Sequence, residues 1–191
     1  MTGTEIQTQA NYHTEGDTVD ATSALKFINE CLIMDIGKDA RVVATATPIA
    51  AVADTWYALP ADLLEIFEIE KSGQDNPYFG NRYGASFRGI FDVRDGSIRF
   101  PVDGTFTIKY YKVPVAIAAL TETPAVHTLF HYPMSLYVAS RYKSYDDEEN
   151  GDAARLMGEY QMFKQKAIRE LAKVFPSTQA SRTIRRVWGA G

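Results

Sequence analysis

Apolar side chains recur at helical spacing near both ends of this chain and at every second position between them. From Ala24 to Ile36, the residues Leu25, Ile28, Leu32 and Ile36 fall on one stripe, and Phe27, Cys31 and Met34 widen it. That spacing predicts a helix buried on more than one side, capped by Asp20 or Thr22 and stopped by a left-handed Gly37. Between Arg41 and Val115 the period falls to two. Trp56–Pro60 reads as a short strand, and Leu64–Glu70 alternates apolar with acidic positions. A loop rich in Gly, Asn, Tyr and Pro follows over 72–84. The turns Asp95-Gly96 and Asp103-Gly104 then separate apolar-alternating runs, which predicts a three-stranded antiparallel meander over about 86–112, joined by the strands at 55–70.

Helical spacing returns at Thr123-Pro124, a cap residue followed by proline at the first helical position, although Pro133 must kink that segment or mark a second start after His131-Tyr132. Past the acidic run Asp146–Glu149, a long helix is expected from Asn150 to Phe175, with Leu156, Tyr160, Phe163, Ala167 and Leu171 on one face and Pro176 ending it. Residues 1–18 are polar and patternless and read as an arm. The expected fold is therefore α+β: a helical bundle of an N-terminal helix and two C-terminal helices, with an antiparallel β insertion at about 41–115 and extended termini. In domain terms this is an arm at 1–19, one domain at 20–175 and a C-terminal tail at 176–191.

Charge adds an asymmetry that the totals conceal. The 191 residues carry a net charge of −4, yet residues 1–70 hold twelve Asp/Glu against three Lys/Arg, and residues 151–191 hold eight Lys/Arg against three Asp/Glu. An acidic first third and a basic end suggest either a polyanionic partner or contacts between copies. With 46% hydrophobic and 23% charged residues the composition is that of a globular chain, which excludes a disordered or disulfide-scaffold protein. Four acids without Lys or Arg before Thr22 are the reverse of a secretory signal, and the apolar runs fall short of the roughly 20 residues of a membrane span. A soluble protein made in a cytoplasm, with no membrane partner, is expected.

Candidate chemistry is sparse. His127 and His131 stand four apart, a spacing that can present two imidazoles to one ion, but no third ligand lies near and Pro133 disturbs the helix. The acidic run 146–149 reads as solvated surface, with a cation or a neighbouring copy as other takers. Cys31, the single cysteine, sits inside a core stripe rather than an electropositive pocket. Gly80–Gly84 has glycines without either nucleotide-binding fingerprint. No catalytic residue, metal or cofactor is expected. The tail Arg182-Thr183-Ile184-Arg185-Arg186-Val187-Trp188 mixes base and aromatic. Its arginines suit phosphates or acidic protein surface equally, and Trp188 suits a base or an apolar pocket, so a nucleic-acid-binding accessory module is the alternative to a protein-docking tail.

Several features in fixed order carry a resemblance: Ala24–Glu30, then Tyr57-x-Leu59-Pro60-x-Asp62-Leu63, Gly96-Ser97-Ile98-Arg99-Phe100-Pro101-x-Asp103-Gly104, Tyr110-Tyr111-x-x-Pro114, Asp147-Glu148-Glu149 and a closing helix with Tyr160. Over residues 20–175 this resembles the head-to-tail adaptor, or connector, proteins of tailed bacteriophages. The resemblance implies a non-enzymatic virion protein of the neck, made in the bacterial host cytoplasm and assembled as a twelve-copy ring. It implies the portal protein and tail or nozzle proteins as partners, with genomic DNA passing through the lumen without specific binding. Arg182, Arg185, Arg186 and Trp188 would be the portal-docking residues, and Tyr78, Phe79 and Tyr83 would form a loop facing the tail.

Overall fold

A computed structural model of the chain describes residues 1–74, 91–145 and 150–174. Helices and antiparallel sheets both contribute, so the architecture is the α+β one expected, and it divides into two compact units. One unit joins Met1–Val42 to Val113–Val174 and holds the helices; the other, within Val43–Lys112, holds almost all of the β-structure.

The helical unit is built around α3 (His131–Lys143), ten of whose thirteen residues are buried. A helix covered on nearly all sides needs small or satisfied polar groups where neighbours approach closely. Ser140 Oγ donates to the carbonyl of Ala153 (2.8 Å), and Ser135 Oγ to that of Tyr132 (2.8 Å). Around α3 pack α1 (Gly3–His13), α2 (Ala21–Glu30) and α4 (Asn150–Val174). The last buries Leu156, Tyr160, Ala167 and Leu171 along the predicted face.

The N-terminus differs from the expected arm. Residues 3–13 are helix, started by a reciprocal cap in which Thr2 Oγ1 accepts from the Glu5 amide and Glu5 accepts from the Thr2 amide. Ile6 and Ala10 are fully buried, and Gly3 lies so close to the chain at Leu120 that a Cβ there would be 2.9 Å from backbone atoms. The helix ends in a turn through Glu15 (φ 52°) and Gly16 (φ 118°), and Asp20 then caps α2 by accepting from the amides of Thr22 and Ser23.

Three further expectations are corrected in this unit. The helix from α2 continues as a π-helical turn, Cys31–Asp35, which leaves Met34 on the surface rather than in the buried stripe. Gly37 does not take the left-handed conformation; it is needed because a Cβ there would meet the carbonyl oxygen of Ile33 at 2.8 Å. No helix starts at Thr123-Pro124. Residues 117–122 instead bind the neighbouring helices, with Asn29 and Ile117 exchanging two bonds of 2.9 Å and the amides of Gly3 and Thr4 donating to Glu122 and Leu120. A 3₁₀ turn at Thr128–Phe130 leads into α3, where Pro133 falls in the first turn and its missing N–H costs nothing.

Among the described residues of the second unit, seven strands form two sheets. The larger joins β1 (Val42–Thr45), β2 (Ile49–Ala51) and β4 (Leu63–Lys71) to β7 (Gly104–Lys112). The smaller has β3 (Trp56–Ala58), β6 (Ser97–Arg99) and β5 (Asp92–Arg94) in that order. Asp95 (φ 47°) and Gly96 (φ 72°) form the expected hairpin turn between β5 and β6. Asp103-Gly104 does not. Asp103 Oδ1 accepts from the amide of Ala53 (2.7 Å), and the chain crosses there from the small sheet to the large, so the predicted meander is split between two sheets. Both sheets feed one core of Ile69, Ile98, Phe100, Phe106, Ile108 and Tyr110, with the Phe100 and Phe106 rings stacked 3.9 Å apart.

Candidate functional site

Polar side chains in the helical unit are used mainly to join its own helices. The π-helical turn carries Asp35 to α4, where Tyr160 donates to Asp35 Oδ2 and Lys164 Nζ donates to Asp35 Oδ1 (2.8 Å) and its carbonyl (3.1 Å). Asp39 stands 3.5 Å from the same ammonium. The Cys31 thiol points at the Tyr160 oxygen (3.7 Å), and burial pushes it up to about 12. Such a thiol is protonated at neutral pH and is no nucleophile, in keeping with its expected place in the core. Burial likewise raises the Tyr160 phenol above its ordinary range. On the other side, Tyr137 donates to Glu30 (2.8 Å), which also pairs with Arg141 (3.1 Å). These paired charges link α2 and the π-helical turn to α3 and α4.

The two histidines singled out by spacing do not act together. His127 precedes the 3₁₀ turn and accepts from the Leu129 amide (3.3 Å). His131 is buried in α3 with Nδ1 against the Met1 amine (2.7 Å), and burial, followed by that amine, lowers its pKa. Among the described residues no group of three or more His, Cys, Asp or Glu is placed to hold a metal ion.

What faces outward is aromatic, apolar and charged. A cavity of about 550 Å³ is lined by Asp17, Ser23, Lys26, Phe27, Tyr142, Lys143 and Tyr145. Tyr145 stacks on Phe27 (5.8 Å) and is itself exposed, and the buried Lys143 reaches Asp17 (2.6 Å). On α1, Tyr12 is 74% exposed; on α4, Met162 is 60% exposed. In the β unit, Trp56 lies under the Arg99 guanidinium (5.2 Å), which Asp92 holds in place, and Val52 and Val102 are exposed. A tryptophan with a held arginine is the pairing that dominates binding energy in many protein interfaces. Trp56 and Arg99 were legible as residue types, but nothing in the sequence signalled that they would meet across a strand pair.

The tail residues Arg182, Arg185, Arg186 and Trp188 and the loop residues Tyr78, Phe79 and Tyr83 lie outside the described residues, as does the acidic run 146–149. No described helix is long and apolar enough to cross a membrane.

An α+β chain whose interior polar groups serve its own packing, and whose outer aromatic and charged side chains are held ready for contact, has the anatomy of a docking protein. Residues 1–187 match the SU10 adaptor protein family, and the chain belongs to that family. It is thus a bacteriophage adaptor, a structural protein that works among other phage head or tail proteins. No curated protein matches it.

Proposed function

We propose that this adaptor is a neck protein of a tailed phage, forming a closed ring of about twelve copies that joins the portal vertex to the tail. The observation that supports the reading is the family match, which spans residues 1–187 and so includes both the 72–84 loop and most of the basic tail. In this reading Arg182, Arg185, Arg186 and Trp188 dock on the portal protein. Three arginines without a neighbouring acid suit an acidic protein surface, and the indole supplies a rigid apolar anchor. Tyr78, Phe79 and Tyr83 face tail or nozzle proteins, and genomic DNA passes the lumen without specific contacts. The reaction is association alone.

Co-sedimentation of the full chain with purified portal tests this. Wild type is expected to move with portal at ring-sized mass, and a chain lacking residues 177–191 is expected to lose portal binding while keeping its circular dichroism spectrum. Undiminished binding by the shortened chain refutes the role of the tail. Filter retention of DNA at low salt, falling steeply as salt rises, would assign the tail to nucleic acid instead.

A further inference from the structure

Two outward helix faces of the helical unit complement each other in charge. On α1, Glu5, Thr8 and Tyr12 lie on one stripe at spacings of three and four residues, turned away from the buried Ile6 and Ala10. Tyr12 is the most exposed aromatic on that face, and Glu15 extends it into the following turn with its side chain 75% exposed. Before Lys26 the chain has no Lys or Arg, so the charged side chains of this face itself are acidic; the Met1 amine stands 4.0 Å from Glu5 and Arg155 3.8 Å from Glu15. On α4, Met162, Lys166, Arg169 and Lys173 form a stripe at i, i+4, i+7 and i+11, opposite the buried Tyr160, Ala167 and Leu171. All four are exposed. Lys173 pairs only with Glu170 of its own helix, and no ion pair engages Lys166 or Arg169 among the described residues. Each face thus has one large apolar side chain, Tyr12 followed by the acid Glu15, or Met162 followed by the cations Lys166 and Arg169.

We infer that the outward face of α1 on one copy docks on the C-terminal half of α4 of a second copy. The chain supplies both complements itself. A Tyr anchor beside Glu15 fits a Met anchor beside Lys166 and Arg169, whereas the cationic face opposed to itself would bring like charges together. Both helices are held rigidly against α3, by burial of Ile6 and Ala10 on one and of Tyr160 and Leu171 on the other, so docking orders little that is not already ordered. Glu15 does reach Arg155 of its own chain, but at 3.8 Å between exposed side chains that pair is weak and exchangeable. Because the two faces differ, the contact is head-to-tail, and repeating it builds a ring or a filament rather than a two-fold dimer. The inference rests on the ring reading above and supplies the contact between neighbours that the ring needs.

Complementary face-deleted variants test it, by sedimentation velocity of the full chain alone and with purified portal. The first variant is Tyr12→Ala with Glu15→Gln; the second is Lys166→Gln with Arg169→Gln. All four positions are on the surface, and circular dichroism checks the fold of each variant. Wild type is expected to self-associate, alone or on portal, with the midpoint concentration rising as salt screens the charges. Each variant alone should need a concentration on the order of 10–100-fold higher to associate. An equimolar mixture of the two should stop at dimers, because each retains one intact face. Wild-type assembly by both variants overturns the proposed faces and leaves the ring reading standing. A mixture that stays monomeric also overturns the head-to-tail contact. Wild type that remains monomeric both free and on portal overturns ring and contact together. Variants that lose portal binding without any change in self-association assign the faces to portal and overturn the second copy as occupant.

Discussion

Replacing Lys164 by methionine should destabilise the helical unit by about 2–3 kcal/mol. The ammonium is almost fully buried and makes two hydrogen bonds to Asp35, at 2.8 Å to the carboxylate and 3.1 Å to the carbonyl, with the Asp39 carboxylate at 3.5 Å. Methionine keeps the stem and its packing but removes the charge, leaving two carboxylates facing a void. A hydrogen bond to a charged group contributes about 1.5–3 kcal/mol, which would set the loss higher for the full set. Two effects reduce it: the Asp35 and Asp39 side chains are 31% and 39% exposed and regain water, and the lysine's own desolvation cost disappears. The coupling is as diagnostic as the size. Asp35→Asn should be costly alone, and the double variant should recover about 1–2 kcal/mol relative to the sum, since the two changes abolish the same interaction. Urea unfolding followed by far-ultraviolet circular dichroism reads all three. A Lys164→Met variant within about 0.5 kcal/mol of wild type, or strict additivity, would show that the cluster is surface charge and does not lock α4 to the π-helical turn.

Acidification from pH 7 to pH 5 should destabilise the fold through His131 and His13, whose pKa values burial lowers. Both groups take a proton less readily when folded than when unfolded, where they titrate near the ordinary value of about 6.5, so stability is full above that pH and is lost as pH falls. A His131→Asn variant should show a shallower loss across this window in thermal melts, and an unchanged slope would clear His131 of the effect. Gly3→Ala should destabilise by about 1–3 kcal/mol against the helix propensity of alanine, because its Cβ would meet Leu120 backbone at 2.9 Å. Gly158→Ala, in open space on α4, should stabilise by about 0.5–1 kcal/mol, and the two shifts in melting temperature having the same sign would contradict the packing described.

Legibility in the sequence followed apolar content. The final helix was readable because Leu156, Tyr160, Ala167 and Leu171 repeat on one face, and they are buried there. The hairpin at Asp95-Gly96 was readable because both residues must take positive φ and only a few residue types do so cheaply. Helix α1 was missed because it buries only Gly3, Ile6 and Ala10, too narrow a stripe to stand out from polar surroundings. Its signal was local instead: Thr2 and Glu5, three apart, are the two halves of a capping box. Asp103-Gly104 misled because the pair was read as a turn, while the aspartate spends its carboxylate on the Ala53 amide, a contact fifty residues away. Met34 misled because a stripe extrapolated at 3.6 residues per turn fails when one turn is π-helical.

That same π-helical turn bears on how the surface is divided. An i→i+5 turn brings the Ile36 amide to the Cys31 carbonyl (2.9 Å), which sets Asp35 against Lys164 and leaves Met34 80% exposed. A regular helix would place the residues beyond it about 100° away around the axis, and the acid could not hold α4 as it does. With Lys164 taken by Asp35, the positive charge of α4 that has no ion pair among the described residues falls on Lys166 and Arg169, one stripe over. The basic end of the chain is thereby separated into a cation that serves the fold and cations that face outward. The acidic beginning divides likewise: Asp17 pairs with the buried Lys143 and Asp20 caps α2, while Glu15 stays exposed beside Tyr12. Charges used inside the unit cannot also hold a neighbour, so the residues on which assembly electrostatics should depend are those few, and not the whole imbalance of the sequence.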